Sequence, residues 1–221
     1  MRRTRMINTL AERIAAIRLE HIVRVAIDGV DASGKTMLAA ELAESVQRLG
    51  RIVPRVSIDG FHRPRAQRYR RGPSSAEGYY HETTDYAAVR REVLEPLGPG
   101  GDRHYRTATF DFRADSALDR PVLVAEPDDI LLLEGVFLLR PELRDCWDYR
   151  IFVHADFDVT LARAMTRDAE LFGSADATED RYRRRYIPGQ QMYLAEVPPR
   201  EIADVCVLNN SITNPELIHP R

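Results

Sequence analysis

Eight consecutive residues, Gly29-Val30-Asp31-Ala32-Ser33-Gly34-Lys35-Thr36, have the types and spacing to hold a chain of phosphates. They read G-x-x-x-x-G-K-[ST], the phosphate-binding loop of nucleotide-binding α/β proteins. Gly29 and Gly34 let the backbone turn tightly and approach phosphate oxygens with no Cβ in the way. The N–H groups of Asp31, Ala32, Ser33 and Gly34 then point inward as an anion-binding nest. Lys35 brings a point charge to the outer phosphates, and the Thr36 hydroxyl can ligate Mg²⁺. ATP and Mg²⁺ are the ligands this loop implies. Lys35 is also the only lysine in a chain rich in arginine, retained where a compact ammonium fits and a planar guanidinium does not.

Two carboxylates are placed to work with that loop. Ile52–Ile58 reads as a strand running into Asp59-Gly60-Phe61-His62. An aspartate at the C-terminal end of a parallel strand sits where α/β proteins bind ligands, although Asp-Gly is also an ordinary turn. Ile130-Leu131-Leu132-Leu133 reads as a buried strand ending in Glu134-Gly135, which sets Glu134 where it can hold Mg²⁺ directly or through water.

The elements that must carry these groups follow from hydrophobic patterning. Ile22–Ile27 is a β-branched run suited to a central parallel strand, and Met37–Ala43 continues the loop as a helix whose N-terminus faces the phosphates. Met6, Leu10, Ile14 and Ile17 recur at helical spacing over residues 5–19. A helix is expected from about Thr84 to Glu95, capped by Thr83 or Thr84. His104–Phe112 and Pro121–Ala125 read as an antiparallel hairpin, so residues 60–128 form a long insertion between sheet strands, the usual carrier of a second substrate. Tyr149–Val153 and Val205–Leu208 complete the strands, with a polar tail from Asn209. Asp158–Leu171 reads as a helix with Arg163 and Arg167 on one face. Gly173–Ala177 is small and polar, and arginines resume at Arg181. That is the pattern of a lid, here about 169–185, which delivers charge on closing. Pro188-Gly189 reads as a bend.

Composition narrows the function classes. A chain of 221 residues suits a single domain, and a net charge of −2 gives no general attraction to nucleic acid or anionic lipid. The arginine-rich run 63–71 around Tyr69 is the one feature that suggests RNA, and an RNA-binding ATPase is the competing class; a solvated loop or a loop over an anionic substrate explains the run as well. A guanine-specific switch needs Asn-Lys-x-Asp, which the single lysine forbids. Cys146 and Cys206 are too few for a disulfide framework, and no stretch reaches the ~20 apolar residues of a membrane span. We therefore expect a cytoplasmic protein with reduced, buried thiols and no membrane partner. Oligomeric state is left open, a homo-oligomer included.

From about residue 23 to 208 the chain resembles the uridine kinase family, within the phosphoribulokinase and uridine kinase group of P-loop kinases. The resemblance rests on Gly29–Thr36, Asp59-Gly60-Phe61-His62, Phe110-Asp111-Phe112, Leu133-Glu134-Gly135-Val136, Leu161–Asp168 and Ala203-Asp204-Val205. It implies one α/β P-loop domain over 1–221: a mostly parallel five-stranded sheet with helices on both faces, a substrate hairpin and a lid. It implies transfer of the γ-phosphate of ATP to a small-molecule hydroxyl, the 5′-OH of uridine or cytidine in the namesakes. The Asp59-Gly60-Phe61-His62 spelling also resembles that of pantothenate kinase and sugar kinase relatives, so pantothenate, a sugar or a phosphosugar is the alternative acceptor.

By that resemblance Asp59 is the catalytic base, Glu134 and Thr36 face the metal, and Arg163 and Arg167 face phosphates with Lys35. The acceptor is lined by Asp59, His62, Tyr80, His81, Phe110, Phe112 and Asp115. Three positions depart from the namesakes: residues 169–180 hold no arginine, His81 stands where they have a ribose-binding aspartate, and Asp115 stands where they have a base-reading histidine. An ionised aspartate only accepts hydrogen bonds, so Asp115 against a pyrimidine would favour cytidine over uridine.

Overall fold

Residue alternation builds a sheet that is buried on both faces. In the computed structural model, which describes residues 3–219, β1 (Val23–Gly29) is buried along its whole length. Val23, Val25 and Ile27 face one core and Ala26 the other. On the first face lie α1 (Arg3–Ala16) and α2 (Lys35–Arg48), which press Met6, Leu10, Leu38, Leu42 and Val46 against the strands. Each such side chain, fully buried, contributes about 1.5–3 kcal/mol.

β2 (Arg55–Ser57) is shorter than the expected Ile52–Ile58. Pro54 cannot donate to the ladder, but the Ile52 and Pro54 carbonyls still accept from Ile130 and Leu132, at 3.0 and 2.9 Å. The insertion then folds as α3 (Arg65–Arg68), α4 (Ala76–Glu82) and α5 (Tyr86–Val89), the last extended by a π turn over Arg90–Leu94. The cap of α5 is Asp85, whose Oδ1 accepts from Ala88 N, rather than Thr83 or Thr84. The expected hairpin is two short ladders: β3 (His104–Tyr105) pairs with β6 (Leu123–Val124), and β4 (Phe110–Asp111) with β5 (Ser116–Ala117).

The chain re-enters the sheet as β7 (Ile130–Gly135), passes α6 (Pro141–Arg144), and continues as β8 (Tyr149–His154). The expected Asp158–Leu171 helix divides at Asp168 into α7 (Phe157–Arg167) and α8 (Ala169–Phe172). The polar stretch after it is no open tip, since the Ser174 hydroxyl caps α9 (Ala175–Arg181). A π turn over Tyr182–Tyr186 leads into α10 (Ile187–Glu196). Pro188 opens this helix rather than bending the chain away, because proline suits a first helical turn. After α11 (Pro199–Ile202) come β9 (Val205–Leu208) and β10 (Glu216–Ile218).

The sheet order is β10-β9-β8-β1-β7-β2. Five strands are mutually parallel, as expected, and β10 adds an antiparallel edge where only a polar tail was foreseen. Among the described residues no helix is long and apolar enough to cross a membrane, and Cys146 and Cys206 are free and buried.

Candidate active site

The C-terminal ends of the parallel strands converge, and each presents a polar group there. β1 leads into the phosphate loop. Gly29 comes so close to the Val153 carbonyl of β8 that a Cβ would collide with it. Gly34 has φ +97° and Ala32 φ +55°, both in the left-handed region. A backbone that alternates hand this way turns successive N–H groups towards one centre. Lys35 is buried and folds back inside the loop, donating to the Val30 carbonyl at 2.8 Å. Thr36 Oγ1 donates to Glu134 Oε2 of β7 at 3.2 Å. A hydroxyl and a carboxylate are the hard oxygen donors Mg²⁺ prefers, so this pair fits that cation.

β2 ends in a 3₁₀ turn over Ile58–Phe61 that carries Asp59. The Asp59 side chain is 60% exposed, with His62 Nε2 3.7 Å away. Crowding by protein raises its pKa, and the Asp31 carboxylate raises it further; Lys35, Arg167 and Arg113 act the other way. His62 packs edge-on against Phe112, ring centroids 4.8 Å apart. Burial and then Arg68 press its pKa down to about 4, so the imidazole is neutral at pH 7. The hairpin is pinned to this turn, with Thr109 N donating to the Gly60 carbonyl at 2.8 Å.

Asp59, His62 and Phe112 thus stand together beside the loop. The other expected acceptor residues have surroundings of their own. Tyr80 is buried in the core, 1% exposed, edge-on to Phe137 and covered by the Arg140 guanidinium 4.1 Å from its ring centre. His81, next to it on α4, is exposed. Phe110 is half-buried and pairs with Ala117 in β4–β5. Asp115, at a turn with φ +54°, accepts from the Arg65 N–H at 2.7 Å and from the Arg68 guanidinium at 3.3 Å. It ties the hairpin to the arginine-rich run.

The arginines are also more committed than their spacing suggests. Arg163 donates to the carbonyls of Asn209 and Asn210 at 2.8 and 3.0 Å and reaches that of Ala32, so it braces the loop's backbone. Arg167 grips Asp168 with two bonds of 2.7 and 2.8 Å and still acts on Asp59. Within 63–71, Arg68 pairs with Asp115, and Arg70 and Arg71 with Glu82. This internal neutralisation takes much of the run away from RNA. Arg181 and Arg185 dock the end of the 169–185 segment on it, through Tyr69 and the Arg68 and Ser75 carbonyls.

Other residues gathered here carried no sequence signal that we read. Asn209 donates to the Ser33 carbonyl of the loop; its place at the end of β9, on the ligand edge of the sheet, could have marked it. Gln190 and Tyr79 hold Asp31, and Tyr193 donates to Asp28. Asp28 is fully buried beneath the loop, and burial pushes its pKa up to about 6.

With this geometry established, comparison with known proteins is informative. The sequence model of the phosphoribulokinase/uridine kinase family matches residues 24–205. A uridine kinase of Lactobacillus helveticus is 24% identical over 192 residues, covering 86% of this chain and 88% of that protein. Among solved structures, a "possible uridine kinase" from Bacillus stearothermophilus superposes with TM-score 0.72 at 24% identity, covering 90% of this chain and 96% of the other. D-glycerate 3-kinase from Cryptococcus neoformans superposes with TM-score 0.63 at 12% identity, covering 97% and 99%. At these identities the structural likenesses speak for the fold alone.

Proposed function

Since the chain belongs to the phosphoribulokinase/uridine kinase family, and is thereby an ATP-dependent phosphotransferase, we propose that its acceptor is a small polyhydroxylated molecule of the sugar or sugar-acid kind rather than a pyrimidine nucleoside. The observation that carries this reading is Asp115. The side chain standing where the namesakes read a base is held by the Arg65 N–H and the Arg68 guanidinium. Tyr80 supports it, because a ring buried in the core cannot stack on a base. Arg113 supports an acceptor with a carboxylate or phosphate: it is exposed, 5.7 Å from the Phe112 ring centre, and close enough to Asp59 to act on it.

In this reading the nest and Lys35 hold the β- and γ-phosphates, and Asp59 orients the acceptor hydroxyl and takes its proton. A carboxyl with a raised pKa is a stronger base once ionised, which suits that transfer. His62, neutral and wedged against Phe112, shapes the wall beside the acceptor. Arg167, near Asp59, faces the charge that develops during transfer. Thr36 and Glu134 would hold Mg²⁺, which when bound neutralises phosphate charge. The insertion 60–128 serves the acceptor, and the segment 169–185 serves as the lid.

ADP release with uridine, cytidine, D-fructose, D-glycerate and pantothenate as acceptors tests the assignment. We expect turnover on a sugar or hydroxy acid. A kcat/KM for uridine or cytidine above all the others would sink it.

A further inference from the structure

Asp31 lies inside the phosphate loop, yet its chemistry points away from phosphate. Its backbone N–H, which an ordinary loop would offer to an anion, donates to Gln190 Oε1 at 3.1 Å. Its Oδ2 accepts from Gln190 Nε2 at 2.8 Å and from Tyr79 O–H at 2.7 Å. Gln190 therefore clamps both backbone and side chain from α10, while α4 supplies the third bond. Two bonds to the carboxylate and one from the backbone fix Asp31 in one orientation, and a side chain fixed in this way is pre-organised for whatever it meets. All of these side-chain bonds go to Oδ2; Oδ1 takes part in none of them. The carboxylate is only part-buried, and it acts electrostatically on Asp59, His62, Arg167 and Tyr182, groups of the acceptor cleft and the lid. An anion in that place would repel a phosphate, so its use must lie with something else.

We propose that Asp31 is an acceptor-reading residue: Oδ1 accepts a hydrogen bond from a second donor group of the acceptor, a hydroxyl or ammonium beside the hydroxyl that is phosphorylated. The acceptor class is then a diol or amino alcohol, held between Asp31 and Asp59. This rests on the acceptor-kinase reading above. It also gives the phosphate loop two sides, with Gly34, Lys35 and Thr36 serving the nucleotide and Asp31 serving the acceptor. The charge of Asp31 has a second effect, in keeping Asp59 a stronger base. The other groups acting on Asp59 are His62, Lys35, Arg167 and Arg113, none of which the test alters.

The test is Asp31→Asn, which keeps one acceptor oxygen for Tyr79 and Gln190 but removes the charge and puts a donor where Oδ1 was. Losing a charged hydrogen-bond partner is expected to raise the acceptor KM about 10–100-fold, with the MgADP Kd by calorimetry within twofold of wild type. Two probe pairs examine the second donor directly: D-glycerate against 3-hydroxypropionate, and uridine against 2′,3′-dideoxyuridine. Wild type is expected to favour the diol of whichever pair it turns over, and the variant to lose that preference. A weakened MgADP Kd with an unchanged acceptor KM would overturn the proposal and return Asp31 to the nucleotide.

One arm needs no acceptor. ¹³C NMR titration of the Asp59 carboxyl is expected to show its pKa falling in Asp31→Asn, and no movement would overturn the proximity on which the proposal stands. If Asp31→Asn fails to fold, Gln190→Met removes the clamp and keeps the charge; a raised acceptor KM with unchanged MgADP binding is expected, and weakened MgADP binding would overturn the idea. Should wild type phosphorylate none of these probes, the acceptor assignment fails, while the NMR and MgADP measurements still decide the place of Asp31.

Discussion

The two halves of the cleft are built on different terms. On the side proposed for the nucleotide, residues 29–36 form one continuous segment, with Glu134 bonded to it from the adjacent strand β7. On the side proposed for the acceptor, the insertion 60–128 follows the 3₁₀ turn that carries Asp59 with three short helices and two short ladders. There, side chains that resemble ligand contacts are bonded to one another: Asp115 to Arg68, Glu82 to Arg70 and Arg71, Arg140 over Tyr80. A site made by backbone is written in one contiguous motif, whereas one made by side chains depends on partners far away in the chain, as Asp115 does on Arg68.

The sharpest way to break this comparison is to remove the carboxylate that follows β2. Asp59→Asn is expected to lower kcat by ~10²–10⁴-fold, the usual cost of losing a general base, with MgADP affinity nearly kept. If stability falls and the rate does not, Asp59 is a turn residue and the acceptor half has no catalytic group on β2. Next in size is Lys35→Ala on the donor side. Loss of a charge placed on the developing transition state is expected to reduce kcat by ~10²–10³-fold, with the circular dichroism spectrum and Tm unchanged. Near-normal turnover would remove the loop from phosphoryl transfer.

These expectations draw on what the sequence made legible, and the boundary of that legibility has physical causes. The β-branched runs and the glycine spacing located β1, β7, β8, β9 and the loop, since burial on both faces leaves a local mark. β10 went unread because Glu216–Ile218 is too short to alternate and is strand only by pairing with β9. Asp59 and Glu134 were legible as strand-end carboxylates. The occupation of Asp115 was not, because its partners are Arg65 and Arg68, about fifty residues earlier. Nor was the clamp on Asp31, since Gln190 lies 159 residues away.

A third measurement separates the halves by their buried titratable groups. Asp28, under the donor loop, has a folded pKa of about 6 against an ordinary 3.8. Between those values the folded state holds a proton that the unfolded chain has lost, so Asp28 makes stability fall as pH rises. His62, on the acceptor side, has about 4 against 6.5. There the unfolded chain holds the proton, so His62 makes stability rise with pH and lose ground as pH drops below 6.5. The two slopes oppose one another over nearly the same window. Asp28→Asn removes only the first. Its stability relative to wild type is expected to improve by about 3 kcal/mol between pH 4 and pH 7, from roughly two pKa units at 1.36 kcal/mol each. His62→Gln is expected to show the opposite trend. Urea titrations at pH 4, 5.5 and 7 give both, and parallel curves for wild type and Asp28→Asn would mean that Asp28 titrates normally in the fold.

The smallest expected effect concerns Asp115, and it sharpens the comparison because it turns on a role given up. An aspartate facing a pyrimidine would favour cytidine, whose amine donates to it, over uracil, whose carbonyl does not. With Oδ1 accepting from the Arg65 N–H and from Arg68, the side chain is anchored to the arginine-rich run and is not free to turn towards a base. Asp115→Asn keeps an acceptor oxygen for the Arg65 N–H and weakens the charged contact to Arg68, which is itself buried. We expect a loss of stability of about 1 kcal/mol, within the range for a hydrogen bond between a charged pair that is partly solvent-exposed. The ratio of kcat/KM for cytidine to that for uridine, however low both values are, is expected to stay within twofold of wild type. The mutation should act instead on how firmly the hairpin is held, seen as faster amide hydrogen exchange at Ser116 and Ala117. A tenfold shift in the cytidine-to-uridine ratio would show that Asp115 leaves Arg68 to read a base, and would draw the acceptor half back towards the nucleoside kinases it resembles.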